Sequence, residues 1–243
     1  MLEIINISKN YGGIHAIKNL SLRIKRRKLT AIIGPNGAGK TTLINIISRL
    51  VKEDSGDLKL NNFSIKKMNV RQIAKLGISR TFQKIYLFQD LTLKDHLNLC
   101  FNSSLLSSFF FGNSRYFEKE NKKIKKILAI TGMGGSLNKK VSELSYGQQK
   151  LIDFSMALLM PHKLIMLDEP VSGINPKLRK KMAKILRQLI KEGESILMVE
   201  HDMDFVSKIA DEVIVLHQGE LITQGNPNKV LSNRRVIDIY LGD

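Results

Sequence analysis

The sequence predicts an α/β fold with a parallel sheet at its centre, and two observations support this prediction. Short, mostly apolar runs are typical of strands that are buried on both faces of a parallel sheet, and they occur at residues 29–33, 164–167, 195–199 and 213–216. Segments with the apolar spacing of helices separate these runs, among them residues 42–50, 150–160 and 177–191. Strands that alternate with helices in this way form a parallel sheet covered by helices.

The length and composition suit a chain with a full hydrophobic core. Its 243 residues are 43% hydrophobic, which fits one large domain or a core with a smaller inserted lobe. The single cysteine, Cys100, excludes an internal disulfide and suits a reducing compartment. Residues 2–7 alternate as in a strand, and no apolar run approaches the ~20 residues of a spanning helix. We expect a cytoplasmic protein that is soluble or peripherally attached to a membrane.

The formal net charge of +17 leaves two interpretations open. It indicates either an anionic partner, meaning a membrane surface or a nucleic acid, or a lysine-rich composition spread over solvated faces. Much of the excess lies at residues 122–126 and 177–191, both with helical spacing. The second segment also carries an apolar stripe, formed by Leu178, Met182, Ile185, Leu186, Leu189 and Ile190. Its basic residues are therefore expected on the opposite, solvated face.

A glycine-rich segment after the first apolar run matches the pattern G-x-x-x-x-G-K-[ST] at every fixed position. It consists of Gly34, Pro35, Asn36, Gly37, Ala38, Gly39, Lys40 and Thr41, with Thr42 beginning the helical run that follows. A strand, this loop and a helix form a phosphate-binding loop, because the glycines and the helix N-terminus turn backbone N–H groups toward one anion. The segment predicts a nucleotide site, with Lys40 at the terminal phosphates and the Thr41 hydroxyl at Mg²⁺.

Polar residues follow three of the predicted strands. Asp168, at the carboxyl end of its strand, is placed to hold Mg²⁺, and Glu169 beside it could accept a proton from an attacking water. An acidic turn before a proline is the alternative. Gln83, at the end of a strand predicted at 78–83, could face the nucleotide, and His201 could contact a γ-phosphate. For these two, a surface glutamine and a structural histidine are the alternatives.

A polar turn at residues 142–149 precedes the helix predicted over 150–160. This turn predicts a capped helix N-terminus, which is a second site that favours anions. Its residues include Ser145, Tyr146, Gly147 and Gln148.

Two regions flank the predicted parallel sheet. A small antiparallel sheet is expected from alternating segments at residues 2–7, 20–24 and 58–60, the last entered by a turn at 54–57. Residues 84 to about 140 have a helical pattern and contain the consecutive aromatics Phe109, Phe110 and Phe111. We expect these aromatics either to contact a partner or to pack inside the helical lobe. A hairpin at 219–222 and a short helix at 236–241 are predicted to close the chain.

The order of these motifs resembles that of the ATP-binding cassette (ABC) ATPases over essentially the whole chain. The turn at 144–148 is the specific part, because other families with a phosphate-binding loop lack it. The resemblance implies a single nucleotide-binding domain over residues 1–243. Its fold would be that of an α/β P-loop NTPase, with a parallel core sheet, a flanking antiparallel β subdomain and an inserted helical subdomain at about 84–148.

The resemblance also implies a role for each matching residue, with ATP and Mg²⁺ as cofactors. Tyr11 would stack on the adenine, and the phosphate-binding loop would hold the phosphates. The metal would be held by Thr41, Gln83 and Asp168. Catalysis would depend on Glu169 as the base, on Gln83 at the attacking water and on His201 as the switch histidine. ATP on an opposite protomer would be contacted by Ser145, Gly147 and Gln148, which implies an ATP-sandwich dimer.

Two residues depart from the common family pattern. Tyr146 stands where the family has glycine, and a tyrosine would be strained there if the position needed a positive φ. Asn175 stands where many relatives carry aspartate, which keeps the hydrogen-bonding shape and loses the charge.

The segments that carry these departures, at residues 144–148 and 173–176, together with residues 80–83 and 200–203, resemble those of the LivG-type ATPases of branched-chain amino acid importers. That resemblance implies membrane permease subunits, a second ATPase subunit or a second copy of this chain, and indirectly an external solute-binding protein. It implies a peripheral position at the cytoplasmic face of the plasma membrane and no nucleic acid. The alternatives are an ATPase of lipopolysaccharide export and a soluble ABC protein associated with ribosomes or nucleic acid. The patch Phe109–Phe111 lies near where the family docks its membrane partner.

Overall fold

The computed structural model of the chain describes residues 1–100 and 114–241, the side chains of residues 114–120 and 241 excepted. The strands of this part are β1 (Leu2–Tyr11), β2 (Ile14–Ile24), β3 (Leu29–Ile33), β4 (Ser55–Leu60), β5 (Phe63–Ser64), β6 (Ile78–Arg80), β7 (Leu164–Asp168), β8 (Ile196–Val199), β9 (Glu212–His217) and β10 (Glu220–Gly225). Its α-helices are α1 (Lys40–Ile47), α2 (Val70–Leu76), α3 (Leu93–Leu99), α4 (Ser114–Thr131), α5 (Tyr146–Leu159), α6 (Pro176–Lys191), α7 (Met203–Ile209), α8 (Pro227–Leu231) and α9 (Arg234–Leu241).

The central sheet has the strand order β10-β9-β3-β8-β7-β6. The strands from β9 to β6 pair in parallel, and only the hairpin partner β10 pairs antiparallel, at one edge. Every residue of β3 and of β7 is buried, as the apolar runs predict for strands covered on both faces. The α/β fold with a parallel core sheet is therefore confirmed.

The second sheet is antiparallel, with the order β2-β1-β4-β5, as the alternating segments predicted. The turn expected over 54–57 is shorter, because β4 already begins at Ser55. Of the residues expected in this turn, only Asp54 lies outside β4. Its carboxylate accepts a hydrogen bond from the backbone N–H of Asn10 at 2.7 Å and pairs with Lys9 at 2.6 Å. Gly56 lies within the strand, opposite an irregularity in the pairing of β1 with β4, where a side chain would meet the main chain of β1.

The hydrophobic core lies on both faces of the central sheet. Leu29, Ala31 and Ile33 face a cluster shared with α5, α6 and α7, while Ile32 faces a second cluster shared with α1 and the antiparallel sheet. Because successive side chains of a strand point to opposite faces, β3 is held between the two clusters. The loop that follows β3 is therefore anchored by a strand that is enclosed on both faces.

Between β6 and β7, the part of the chain that the structure describes forms helices and turns. α3 and α4 join the same core cluster as α5, through Leu93, Leu97, Ile127 and Leu128. The aromatic patch Phe109–Phe111 lies outside the described residues, so its packing stays a prediction.

The apolar stripe predicted for residues 177–191 is confirmed in α6. Met182, Ile185, Leu186 and Leu189 are buried, and the lysines of the opposite face are mostly exposed. Among the described residues, no helix is both long enough and apolar enough to cross a membrane.

Candidate functional site

The loop Gly34–Gly39 joins the buried strand β3 to helix α1 and has a backbone that glycine alone adopts readily. Gly39 has φ +97° and caps α1, and a Cβ there would lie 2.5 Å from the carbonyl oxygen of Ala16. Gly34 has φ +153°, and its missing side chain leaves room for the carbonyl group of Leu216. These two positions explain the spacing of the glycines, because any larger side chain would push the loop off the sheet.

The N-terminus of α1 presents free backbone donors to the inside of this loop. The first N–H groups of a helix have no partner within the helix, and no described side chain caps those of α1. Lys40, Thr41 and Thr42 form its first turn. The loop and this turn together make a concave set of N–H donors with the positive end of a helix behind it, which suits a phosphate.

Lys40 is buried and its ammonium lies within the loop. Its Nζ donates to the carbonyl oxygens of Gly34 at 2.6 Å and Pro35 at 2.8 Å. Burial lowers the pKa of Lys40, and the negative charges of Glu169 and Asp168 act in the opposite direction. A largely buried cation whose described hydrogen-bond partners are carbonyl oxygens suits an anion, because an anion would compensate its charge.

Asp168 ends β7 and is buried against Arg80, a residue to which the sequence analysis gave no role. Arg80 Nη2 lies 3.1 Å from Asp168 Oδ2, and Nη1 donates to Asn45 Oδ1 and Ser48 Oγ at 2.8 Å each. Burial raises the pKa of Asp168, and the guanidinium of Arg80 opposes that rise. The only signal in the sequence was that Arg80 belongs to the predicted strand 78–83, which also carries Gln83.

Glu169 has a left-handed backbone, with φ +48°. Its Oε2 accepts a hydrogen bond from Gln83 Nε2 at 3.0 Å, so these two predicted site residues lie together. The strand predicted at 78–83 is shorter, since β6 ends at Arg80. The chain nevertheless stays beside β7, because Thr81 N–H donates to Met166 and Thr81 Oγ1 accepts from the N–H of Asp168. Gln83 therefore lies in a loop rather than at the end of a strand.

His201 follows β8, the strand beside β7, and its side chain is mostly exposed. Nδ1 is 4.0 Å from Oε2 of the preceding Glu200. Glu200 was not predicted as a site residue, yet it is fully buried and its carboxylate accepts the N–H of Val171 at 3.1 Å. Burial raises the pKa of Glu200. An acidic residue that ends an apolar strand was the signal for it.

The polar turn begins helix α5 earlier than predicted. The helix starts at Tyr146 rather than near Lys150, because Ser145 and Gln148 form a capping box in which each side chain bonds the backbone N–H of the other residue. Tyr146 is a helical residue and is absent from the non-glycine residues with positive φ, so the strain considered for it does not arise. A side chain at Gly147 would collide with Leu178 of α6.

Asn175 caps helix α6, which explains how this departure from the family pattern is tolerated. Its Oδ1 accepts a hydrogen bond from the N–H of Leu178 at 2.9 Å. Asparagine and aspartate are about equally good at this position of a helix.

Tyr11 ends β1, and its half-exposed ring has the ammonium of Lys9 5.4 Å from its centroid. The hairpin that carries Tyr11 lies beside the phosphate-binding loop, because Ala16 of β2 abuts Gly39. The structure thus brings the loop, Lys40, Asp168, Glu169 and Gln83 into one region. The side chains of Ser145 and Gln148 bond each other, and within the described part of the chain no hydrogen bond joins them to the phosphate-binding loop.

Comparison with known proteins agrees with this geometry. The family model described as ABC transporter matches residues 17–172. The chain is 30% identical to the high-affinity branched-chain amino acid transport ATP-binding protein LivG of Salmonella typhimurium, over 100% of this chain and 98% of that protein.

Two solved structures are similar over nearly the whole chain. The ADP conformation of an ATP-binding cassette of an ABC transporter is 32% identical with a TM-score of 0.86, and the match covers 100% of this chain and 99% of that one. A dimeric bacterial ABC transporter cassette is 26% identical with a TM-score of 0.80, over 93% of this chain and 99% of that one.

The fold and the loop site define a P-loop ATPase of the cassette type. The chain belongs to the ABC transporter family, as an ATP-binding subunit that hydrolyses ATP.

The residues at the loop also fit a nucleotide carried with a metal ion. The loop, which packs so closely on Leu216 and Ala16 that Gly34 and Gly39 have no room for a side chain, holds a buried ammonium and suits phosphates. The described residues contain no group of three or more His, Cys, Asp or Glu side chains that could hold a metal by themselves. An ion here would thus rely on hydroxyl, amide and carboxylate oxygens together with the phosphates, which is the manner in which Mg²⁺ is usually bound.

Proposed function

We propose that this chain is the ATPase subunit of an importer for branched-chain, hydrophobic amino acids. The observation that carries the catalytic part is the gathering of Lys40, Glu169 and Gln83 at the phosphate-binding loop. The LivG-type similarity over the whole chain supports the substrate class. The protein would be a single nucleotide-binding domain at the cytoplasmic face of the membrane, with the helical subdomain at about 84–148.

In this proposal the chain binds ATP mainly through its backbone. The loop Gly34–Gly39 encloses the phosphates, with backbone N–H donors at Asn36, Gly37 and Gly39. Pro35 has no N–H, and the N–H of Ala38 donates to the carbonyl oxygen of Pro35, so these two residues shape the loop, while Thr42 adds to the first turn of α1. Lys40 exchanges the carbonyl oxygens of Gly34 and Pro35 for phosphate oxygens, which suits its buried charge better. Tyr11 stacks on the adenine. Binding thus leaves the ammonium inside the loop and gives it an anionic partner.

The chemical step depends on Glu169, Gln83 and Asp168. Thr41, Gln83 and Asp168 would hold Mg²⁺, and this ion would neutralise the charge of the phosphates. Glu169 accepts a proton from the attacking water at a carboxylate that Gln83 already touches. His201, exposed beside the same sheet edge, contacts the γ-phosphate as the switch residue. Catalysis is mostly positioning and neutralisation of charge, as in other phosphoryl transfers.

The composite part of the site comes from a second ATPase, either a sister subunit or a second copy of this chain. Ser145, Gly147 and Gln148 lie at the N-terminus of α5, whose donors suit the γ-phosphate of ATP on the opposite protomer. The similarity to a dimeric cassette supports this arrangement. Permease subunits and, through them, an external solute-binding protein complete the assembly, and no nucleic acid takes part.

Glu169→Gln tests the catalytic proposal. The variant keeps the size and hydrogen bonding of the side chain but cannot accept a proton, so we expect ATP affinity to stay near that of wild type. The hydrolysis rate should fall by about 10²–10⁴-fold, the usual contribution of a general base. Steady-state ATPase assays and binding of a fluorescent ATP analogue measure the two quantities.

The control is Glu192→Gln, the same chemical change at the end of α6, and it should leave both quantities unchanged. Near-normal hydrolysis in Glu169→Gln would refute the assignment of the base.

A further inference from the structure

Lys150 is a buried lysine that does not belong to the proposed catalytic residues. It lies one turn into α5 and is 6% exposed. Its ammonium donates to the main-chain oxygen of Glu169 at 2.6 Å, and within the described part of the chain no carboxylate lies within 4 Å of it as an ion pair. Burying an ammonium without a close counter-ion is costly. The position therefore calls for an explanation other than stability.

The backbone of Glu169 is the group that this lysine holds. Glu169 has φ +48°, a conformation that a non-glycine residue adopts at a cost of roughly 1–2 kcal/mol. Its carbonyl oxygen accepts from Lys150 Nζ and also from the N–H of Ser172 at 3.2 Å. Its own N–H donates to Val199 at 3.0 Å. Both polar groups of this strained peptide segment are thus engaged.

The residues after Glu169 are held in the same way. The N–H of Val171 donates to the buried carboxylate of Glu200. Pro170, which lies between Glu169 and Val171, has no N–H that needs a partner. Burial lowers the pKa of Lys150, and among the nearby carboxylates Glu200 opposes this lowering most strongly. Lys150 and Glu200 therefore each hydrogen-bond to the main chain of residues 169–171, and their opposite charges partly compensate each other.

A second contact joins the start of α5 to this loop. Gly173 has φ +72°, and a Cβ there would lie 3.0 Å from the ring of Tyr146. The ammonium of Lys150 is 5.7 Å from the centroid of the same ring. The first turn of α5 is therefore attached to the loop at Glu169 through the lysine and at Gly173 through the tyrosine ring.

From these contacts we infer that Lys150 is a positioning residue for Glu169. Its ammonium holds the main-chain oxygen that keeps the left-handed backbone, and this backbone directs the carboxylate to Gln83 and the phosphate-binding loop. The same bond makes the position of that carboxylate depend on the N-terminus of α5, the segment expected to meet ATP on another protomer. The inference rests on the proposed function, since it takes Glu169 as the base.

Lys150→Met and Lys150→Arg are the variants that test it. Methionine keeps most of the apolar stem and removes the donor, and we expect kcat for ATP to fall by about tenfold or more, equivalent to about 1.4 kcal/mol in the barrier. KM and the affinity for a fluorescent ATP analogue should stay near wild type, because the loop and Lys40 are untouched. Arginine restores a cationic donor and should recover most of the rate. Lys180→Met removes an exposed lysine of α6 and serves as the control.

Hydrogen exchange gives a readout that does not depend on turnover. In Lys150→Met the amides of Val171 and Ser172 should exchange faster than in wild type, while those of the parallel strands keep their protection. Wild-type kcat and exchange in this variant would overturn the inference. So would a uniform loss of protection, or an equal loss of ATP affinity and rate, since either means a structural role. Should methionine prevent folding, Lys150→Gln replaces it, with the same outcomes.

The failure of this inference is separable from failure of the proposed function. If Glu169→Gln hydrolyses ATP normally, the base assignment is wrong, whatever Lys150→Met does. If Glu169→Gln is inactive while Lys150→Met has wild-type turnover and exchange, only the inference about Lys150 falls.

Discussion

The carboxylate of Asp168 is expected to bind a cation, and it already forms an ion pair with Arg80. It is buried, its pKa is raised by that burial, and its present partner is the guanidinium of Arg80 at 3.1 Å. A cation held at Asp168 would therefore share this carboxylate with Arg80, which has two further acceptors in Asn45 and Ser48. Those two acceptors hold Nη1 of the arginine in place, so Arg80 can act as a fixed positive neighbour of a bound cation and need not leave.

Asp153 gives a prediction about pH at the scale of a single residue. Burial raises its pKa from 3.8 to about 6, against the opposing effects of a hydrogen bond from the Phe82 backbone and the charge of Lys150. The folded protein thus holds this proton more tightly than the unfolded chain, and the stabilisation present below pH 4 is lost as pH rises through about 6.

Asp153→Asn should therefore raise the free energy of unfolding relative to wild type at pH 7.5, by about 3 kcal/mol, and change it little at pH 4. Urea denaturation at the two pH values measures this. Asp90→Asn, at an exposed position, is the control and should show no such difference. A destabilised Asp153→Asn protein at pH 7.5 would contradict the prediction.

The ends of the helices show what side-chain caps do at the scale of elements. Helix α5 begins at its capping box of Ser145 and Gln148, and α6 begins at Asn175 with a proline in its first turn. The segment 145–148 has the serine and glutamine spacing of a capping box, so the start of α5 was readable from the sequence. The longer polar turn obscured it.

Asn175→Ala should destabilise the protein by about 1 kcal/mol, because the N–H of Leu178 loses the acceptor that it has at 2.9 Å. Asn175→Asp keeps an acceptor, adds a negative charge at a helix N-terminus and should be at least as stable as wild type. Chemical denaturation of the three proteins gives the comparison. Equal stability of the alanine variant would mean that the cap contributes nothing.

The basic character of the chain belongs to the scale of the whole molecule. The charge of +17 coexists with a buried apolar stripe on α6, whose lysines lie on the solvated face. This arrangement is what a lysine-rich composition on solvated faces predicts, and attraction to an anionic membrane surface stays untested. The charge alone therefore does not decide the partner.

The assembly can be tested with Glu169→Gln protein purified from membranes in ATP and Mg²⁺, followed by native mass spectrometry. ATP that cannot be hydrolysed should hold the ATPase pair closed, and we expect two permease subunits with a second, different ATPase. A symmetric pair of this chain with export subunits would favour the lipopolysaccharide exporter. Recovery of ribosomes or nucleic acid in place of membrane subunits would refute a transporter.

The sequence by itself determined the parts of this protein that have local causes. The phosphate-binding loop follows from glycines at fixed spacing between a strand and a helix, and the parallel sheet follows from short apolar runs. Only the tertiary structure decided which residues support the site. Arg80 meets Asp168 from 88 positions away, Glu200 meets Val171 from 29, and Lys150 meets Glu169 from 19. Spacing along the chain predicts contacts within one helix or strand, whereas these contacts depend on how separate elements pack together.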